Sequence, residues 1–264
     1  MIPAGAAEWL YAFSRNWLFS STEGPSTLTA MEHCCPVVEL RQYTLHPGTR
    51  DTLVRVFEEH FVESQERCGM RVIGQFRDLD HPDRFVWLRG FADMEARTRA
   101  LEAFYGGPVW KEHGPAANAT MVGHTNVLLL KPVSATDGFR FDPRRRPGPA
   151  SPDTPGGIVT ATIDHLSGPA SSSAADVARR DWSGAEALAR LVTEPAPNPF
   201  VRLPVREDAN VLVAFFSFAT ADAYRPLPIP SPGVVRREHL RLEPTRRSFL
   251  RHALPPLPAG ERAG

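Results

Sequence analysis

Val37-Val38-Glu39-Leu40-Arg41-Gln42-Tyr43-Thr44-Leu45-His46-Pro47-Gly48 is the stretch on which the reading of this chain turns. Its residues alternate, so Val38, Leu40 and Gln42 point to one side of a strand spanning Val37 to Leu45, and Glu39, Arg41 and Tyr43 to the other. Neither side is polar throughout, and both faces must therefore meet other parts of the protein. Pro47-Gly48 ends the strand. From Arg50 to Cys68 the residues Leu53, Phe57, Phe61, Ser64 and Cys68 recur at helical spacing with acidic residues between them, and Gly69 sits where a left-handed cap is needed.

The order of the following elements is legible. Arg71 to Arg77 reads as a strand, Leu79 to Asp83 as a turn, and Arg84 to Phe91 as a third strand. A second helix opens at Asp93 and closes at Gly106-Gly107-Pro108, with an irregular stretch predicted around Trp110 and His113. Asn126 to Lys131 supplies a fourth strand. Strand, helix, strand, strand, helix, strand is the ferredoxin-like βαββαβ plan, an α+β class in which two helices cover one face of a four-stranded antiparallel sheet. Phe85, Trp87 and Phe91 on one side of the third strand and Val86 and Leu88 on the other require cover for the second face as well.

That cover is predicted from the same chain. Ser134 to Gly157 holds five prolines and four glycines in 24 positions, the composition of a linker. Beyond it the pattern restarts: Ile158 to His165 as a strand, Ala174 to Val192 as a helix, Phe200 to Arg206 and Asn210 to Phe218 as a strand pair, and Val234 to Leu242 as a closing strand. Arg84–Asp93 is echoed by Asn210–Ala219, and Asn126–Pro132 by Glu238–Pro244. Pro226, Pro228, Pro230 and Pro232 forbid a second helix in this half. The expectation is two ferredoxin-like repeats packed sheet to sheet as an α/β barrel within one chain, the second repeat lacking its second helix; were the protein an interaction or scaffold module, a large exposed apolar surface is predicted near that deficient half. The domains are then an extension over 1–36, expected to be disordered and with Met31 an alternative start to Met1, a first domain over 37–133, the linker 134–157, a degenerate second domain over 158–247, and a tail over 248–264.

Composition narrows the function classes. The 264 residues are 42% apolar and 23% charged, and 30 basic residues balance 30 acidic ones, so no global field draws the protein to nucleic acid or an anionic bilayer. No apolar run reaches the length of a membrane span. Three cysteines, Cys34, Cys35 and Cys68, are too few for a disulfide framework, which favours a reducing compartment and hence the cytoplasm. His33-Cys34-Cys35 lacks the spacing of a chelating turn, and neither a metal nor a cofactor is expected.

Three features carry a resemblance: Val38 to Gly48, the strand Phe85-Val86-Trp87-Leu88-Arg89-Gly90-Phe91 entering a helix with Arg97, and Trp110 after Gly106-Gly107-Pro108. In these the chain resembles the NIPSNAP family, well over roughly residues 37 to 132 and in outline over 158 to 246. The resemblance implies membership of the dimeric α/β-barrel superfamily. Its relatives include cofactor-free monooxygenases acting on polycyclic aromatics and haem-binding enzymes, and none of their catalytic residues can be placed on this sequence.

The candidate site is therefore argued from the residues. Arg41 and Tyr43 on the first strand and Trp87 and Arg89 on the third share one face of neighbouring strands, an arrangement suited to a flat or anionic molecule through stacking and charge-assisted hydrogen bonds. The same residues also read as a structural Glu39–Arg41–Arg89 ion-pair network with Trp87 in the core. His60 is a candidate base or axial ligand, or a histidine at the edge of a packed helix face. Trp110 completes the predicted lining. Gly74 and Gly90 mark close packing or room for a ligand, His113 and His124 read as loop residues, and Arg144-Arg145-Arg146 as a solvated linker. Two functions follow: a non-catalytic binding or interaction module, or an enzyme of the barrel type acting on a hydrophobic or aromatic ligand. Self-association remains an open possibility in both.

Overall fold

Alternation in the opening strand has the predicted consequence. Every residue of β1 (Val37–Leu45) except Thr44 is buried, because one face looks into a barrel and the other toward helices. The computed structural model describes residues 33–153, 157–169, 185–225 and 233–252. The chain divides into Met1–Ala30 and Met31–Gly264, and the described residues all belong to the second unit. The extension expected over 1–36 thus lies almost wholly outside the described residues.

After β1, Gly48 turns the chain at φ +75° into α1 (Arg50–Val56). A π-helical turn, Phe57–Phe61, leads on to α2 (Val62–Arg67), and Gly69 ends the run at φ +94° as a left-handed residue. β2 (Arg71–Asp78) and β3 (Arg84–Phe91) follow, and then α3 (Met94–Gly106), whose first turn is capped by the Asp93 carboxylate accepting from Ala96 N at 2.6 Å. The stretch read as irregular around Trp110 is instead a helix, α4 (Pro108–Asn118). Pro108 occupies its first turn, where the missing N–H costs nothing, and Pro115 is accommodated inside the helix. β4 (Met121–Pro132) is longer than the predicted fourth strand.

The second half contributes β5 (Ile158–Leu166), β6 (Glu186–Thr193), β7 (Val211–Phe218) and β8 (Val234–Pro244). Two expectations are corrected here. Residues 186–192, read as the end of a helix, form a strand in which Ala189 and Leu191 are buried at a period of two; residues 174–184 lie outside the described residues. Phe200 to Arg206 is not a strand, and β7 pairs with β5 on one side and β6 on the other.

All eight strands close in the order β1-β3-β2-β8-β5-β7-β6-β4. The first half runs β4-β1-β3-β2 and the second β8-β5-β7-β6, the same relative order. The two halves join antiparallel at both seams, through Phe76–Asp78 of β2 with Leu242–Pro244 of β8, and through Leu130–Pro132 of β4 with Leu191–Thr193 of β6. Val38, Leu40, Leu88, Leu130, Ile163 and Phe215 are among the side chains that fill the interior. Outside the first half the helices bury Phe57, Phe61, Phe85, Phe91, Leu101 and Phe104. Outside the second half, Ile158, Phe216 and Phe218 are buried in a cluster with Tyr224, so the exposed apolar surface predicted there is absent from the described residues.

Part of the proline-rich stretch is packed: Asp137, Gly138, Phe139 and Phe141 are buried, while Arg144 and Arg145 are exposed as expected of a linker. Phe139 is fully buried in the barrel core, edge-on to Phe215 at 5.1 Å. Arg146, read with Arg144 and Arg145 as solvated linker, instead donates to Glu66 Oε1 at 2.6 Å and to the Val72 carbonyl at 2.5 Å. Neither contact is foreseeable from composition, because both depend on the docked helix and on β2. The chain beyond β8 continues along β2, with Thr245 N donating to Gln75 O and Leu250 N to Ile73 O.

Cys34 and Cys35 are joined in a disulfide that the sequence reading did not foresee. Close packing accounts for both strand glycines. A Cβ on Gly90 would lie 2.4 Å from the Cys35 side chain, and one on Gly74 2.5 Å from the Phe76 ring. No helix among the described residues is long and apolar enough to cross a membrane.

Candidate ligand-binding site

The central strands bring the predicted residues together on the helix-facing side of the sheet. β1 and β3 pair antiparallel with Glu39 opposite Arg89, Arg41 opposite Trp87 and Tyr43 opposite Phe85. β2 extends the row, with Gln75 opposite Trp87. Directly opposed residues share a face, so Arg41, Trp87 and Gln75 lie side by side across three strands.

Glu39 anchors three arginines, and all four side chains are inaccessible to solvent. Its Oε2 accepts from Arg41 Nη1 at 2.7 Å and from Arg89 Nε at 2.8 Å, and its Oε1 accepts from Arg97 Nε at 2.6 Å. Burial alone would push the Glu39 carboxyl up, but the Arg89, Arg41 and Arg97 charges together hold it well below the usual carboxylate range. Arg41 also donates from Nε to the Tyr43 hydroxyl at 2.8 Å. Burial pushes the Tyr43 phenol upward, which keeps it protonated at neutral pH. For Arg41, burial favours loss of the proton, but Tyr43 and Glu39 outweigh it and raise the pKa. Arg89 Nη1 donates to Gln65 Oε1 at 3.1 Å, and Arg97 Nη1 to Asn198 Oδ1 at 2.9 Å. Asn198 is itself fixed by donating to the carbonyls of Phe200 and Leu203, so the second half of the chain helps to hold the cluster.

Two neighbouring spaces adjoin this row. An inner slot of about 30 Å³ lies between helices and sheet, lined by Tyr43, Phe57, Phe61, Gln65, Trp87 and Tyr105 among others. A vestibule of about 440 Å³ outside it is lined by His124, Phe200 and Arg202, and it shares Tyr43, Tyr105, Trp110 and Met121 with the slot. Of the six residues predicted from sequence, Tyr43, Trp87 and Trp110 line these spaces. Arg41 and Arg89 stand behind the lining. The Arg41 guanidinium lies 5.4 Å from the Tyr43 ring centre and 5.6 Å from that of Trp87, and Arg89 lies 5.0 Å from Trp87 and 5.9 Å from Tyr105.

His60 lines neither space. It is one-third exposed and stacks on His113 with ring centres 3.5 Å apart. Sequence reasoning left Gln65, Gln75, Arg97, Tyr105, Asn198 and Phe200 out of the site. Gln65 had a signal, a polar residue four positions after Phe61 on the packed helix face; its amide donates to the Phe61 carbonyl at 3.1 Å.

A further cavity, about 490 Å³, is lined by Glu186–Arg190 of β6 and by residues around Asp137 and Leu250, and it touches none of the six residues. Its buried acid, Asp137, is already engaged by Arg190 and by Ser134 Oγ at 2.6 Å. No group of three His, Cys, Asp or Glu side chains among the described residues is placed to hold a metal ion.

Residues 38–136 match the family model described as NIPSNAP. No curated protein matches the chain. A NIPSNAP-like domain protein from Burkholderia xenovorans is similar at 28% identity over 37% of this chain and 85% of its own, with a TM-score of 0.35. Two proteins with the provisional name monooxygenase are similar over both halves. The one from Fusobacterium nucleatum has 9% identity over 80% of this chain and 93% of its own, with a TM-score of 0.53. The one from Lactobacillus acidophilus has 14% identity over 81% and 97%, with a TM-score of 0.47. At 9% identity the Fusobacterium structure bears on the fold alone.

Proposed function

We propose that this protein, which carries a NIPSNAP domain over residues 38–136, is a non-catalytic binding module holding a small hydrophobic or aromatic molecule between the sheet and its helices. The observation that carries this reading is the sharing of Tyr43, Tyr105, Trp110 and Met121 by the slot and the vestibule, which we read as one aromatic-walled recess. The walls of both spaces are mainly aromatic and apolar, with His124 and Arg202 at the vestibule, and Tyr43 is held protonated beside Arg41, a lining suited to holding a flat apolar molecule.

Closure of the sheet within one chain supports a module that needs no second copy to complete its core. The cytoplasm remains the compartment we favour. The Cys34–Cys35 disulfide joins neighbours in sequence, so it closes no chain loop and gives none of the loop-entropy stabilisation that secreted domains draw from disulfides.

The experiment is a fluorescence titration, since Trp87 and Trp110 both face the recess. Naphthalen-2-ylmethanol, a neutral aromatic probe, is expected to change tryptophan emission saturably, and Ala117→Val, which narrows the slot by two methyl groups, is expected to weaken its binding. A linear response that Ala117→Val leaves unchanged would overturn the reading.

A further inference from the structure

We infer that the molecule held in this recess is an acid, and that its carboxylate enters the inner slot, whose Tyr43, Trp87 and Tyr105 walls are backed by the Arg41 and Arg89 guanidinium groups; the inference rests on the binding role just proposed. Charge comes first. Glu39 is the single carboxylate bonded to Arg41, Arg89 and Arg97, so three positive charges meet one negative charge where all four side chains are inaccessible to water. An excess of two buried positive charges is costly unless something anionic joins them.

Hydrogen bonding gives a second, independent observation. Buried polar atoms nearly always have partners. Here Nη2 of Arg41, of Arg89 and of Arg97 has none among the described residues, and neither do Trp87 Nε1 and both side-chain atoms of Gln75. These six atoms are all but one of the buried unpartnered side-chain polar atoms among the described residues, the other being Thr245 Oγ1. Four of the six are N–H donors of Arg and Trp, which suits an acceptor with several lone pairs.

Geometry links these donors to the slot. Arg41 packs on Tyr43 and Trp87, Arg89 packs on Trp87 and Tyr105, and Arg89 is bonded to Gln65; all four of those neighbours line the slot. A space of about 30 Å³ takes a group of a few atoms but not a ring, whereas the vestibule of about 440 Å³ takes the ring. Guanidinium groups match the planar, two-oxygen geometry of a carboxylate. The ligand is therefore an apolar or aromatic carboxylic acid entering head first.

The test compares 2-naphthoate with naphthalen-2-ylmethanol on the wild-type protein by isothermal titration calorimetry at pH 7. Naphthoate is expected to bind at least about tenfold more tightly. Arg41→Met is expected to bring the two affinities together. Should Arg41→Met fail to fold, the wild-type comparison decides alone. Equal affinities would overturn this inference and leave the binding role standing. Binding of neither compound would overturn both.

Discussion

Glu39→Gln is expected to lose about 3–5 kcal/mol of folding stability, the cost of removing one partner from a buried ionic cluster. A domain of this kind has on the order of 5–15 kcal/mol in hand, so the variant should be partly unfolded at 25 °C or melt far below the wild type. The reason lies in the asymmetry of the cluster. Glu39 accepts from Arg41, Arg89 and Arg97, and no second acid among the described residues is bonded to those three guanidinium groups. Arg97→Met should cost less, because Glu39 keeps two donors and the positive excess falls. Acid provides an independent check on the sign. The folded-state pKa of Glu39 is lowered, so its contribution is complete above the ordinary glutamate value of about 4.3 and is lost as pH falls below it toward the folded value. Urea denaturation at pH 7 and at pH 3.5 should show wild-type stability falling and the Glu39→Gln stability falling less. A Glu39→Gln variant within about 1 kcal/mol of wild type at pH 7 would contradict the account of the cluster.

Phe139→Ala is expected to cost about 3–5 kcal/mol, as for a large aromatic removed from a packed core. By composition this residue belongs to a linker, and in a solvated linker its truncation would be nearly neutral. In the folded chain it is fully buried against Phe215, among side chains from both halves of the barrel. Val201→Ala, at a site 79% exposed, is the control and should stay within about 0.5 kcal/mol of wild type. Chemical denaturation of the three proteins distinguishes the cases, and equal midpoints for Phe139→Ala and wild type would remove the stretch 134–153 from the core.

The sequence disclosed the first half of the barrel because its signals are local. Alternation in Val37–Leu45, the turn at Pro47-Gly48, the cap at Asp93 and the left-handed stop at Gly69 each act within a few residues. The second half was harder to read. In Glu186–Thr193 the residues Ala187, Leu188, Ala189 and Leu191 fit either period, and pairing with β7 is what imposes a strand. Period two also placed Arg41, Tyr43, Trp87 and Arg89 on one face, as the strand register bears out. Arg97, Gln75 and Asn198 escaped notice because their proximity to that face comes from helix docking, from the β2–β3 register and from a loop of the other half. His60 falls at the π-helical turn, where the extra residue shifts the helical phase, and it meets His113 outside the recess.

The most direct measurement is native mass spectrometry of the full chain purified from its own cells, with Ala117→Val purified alongside. The account predicts a monomer of wild-type protein carrying one small acid that denaturing conditions release, and a smaller bound fraction on Ala117→Val. A bare wild-type chain, or the same bound fraction on both proteins, would contradict it.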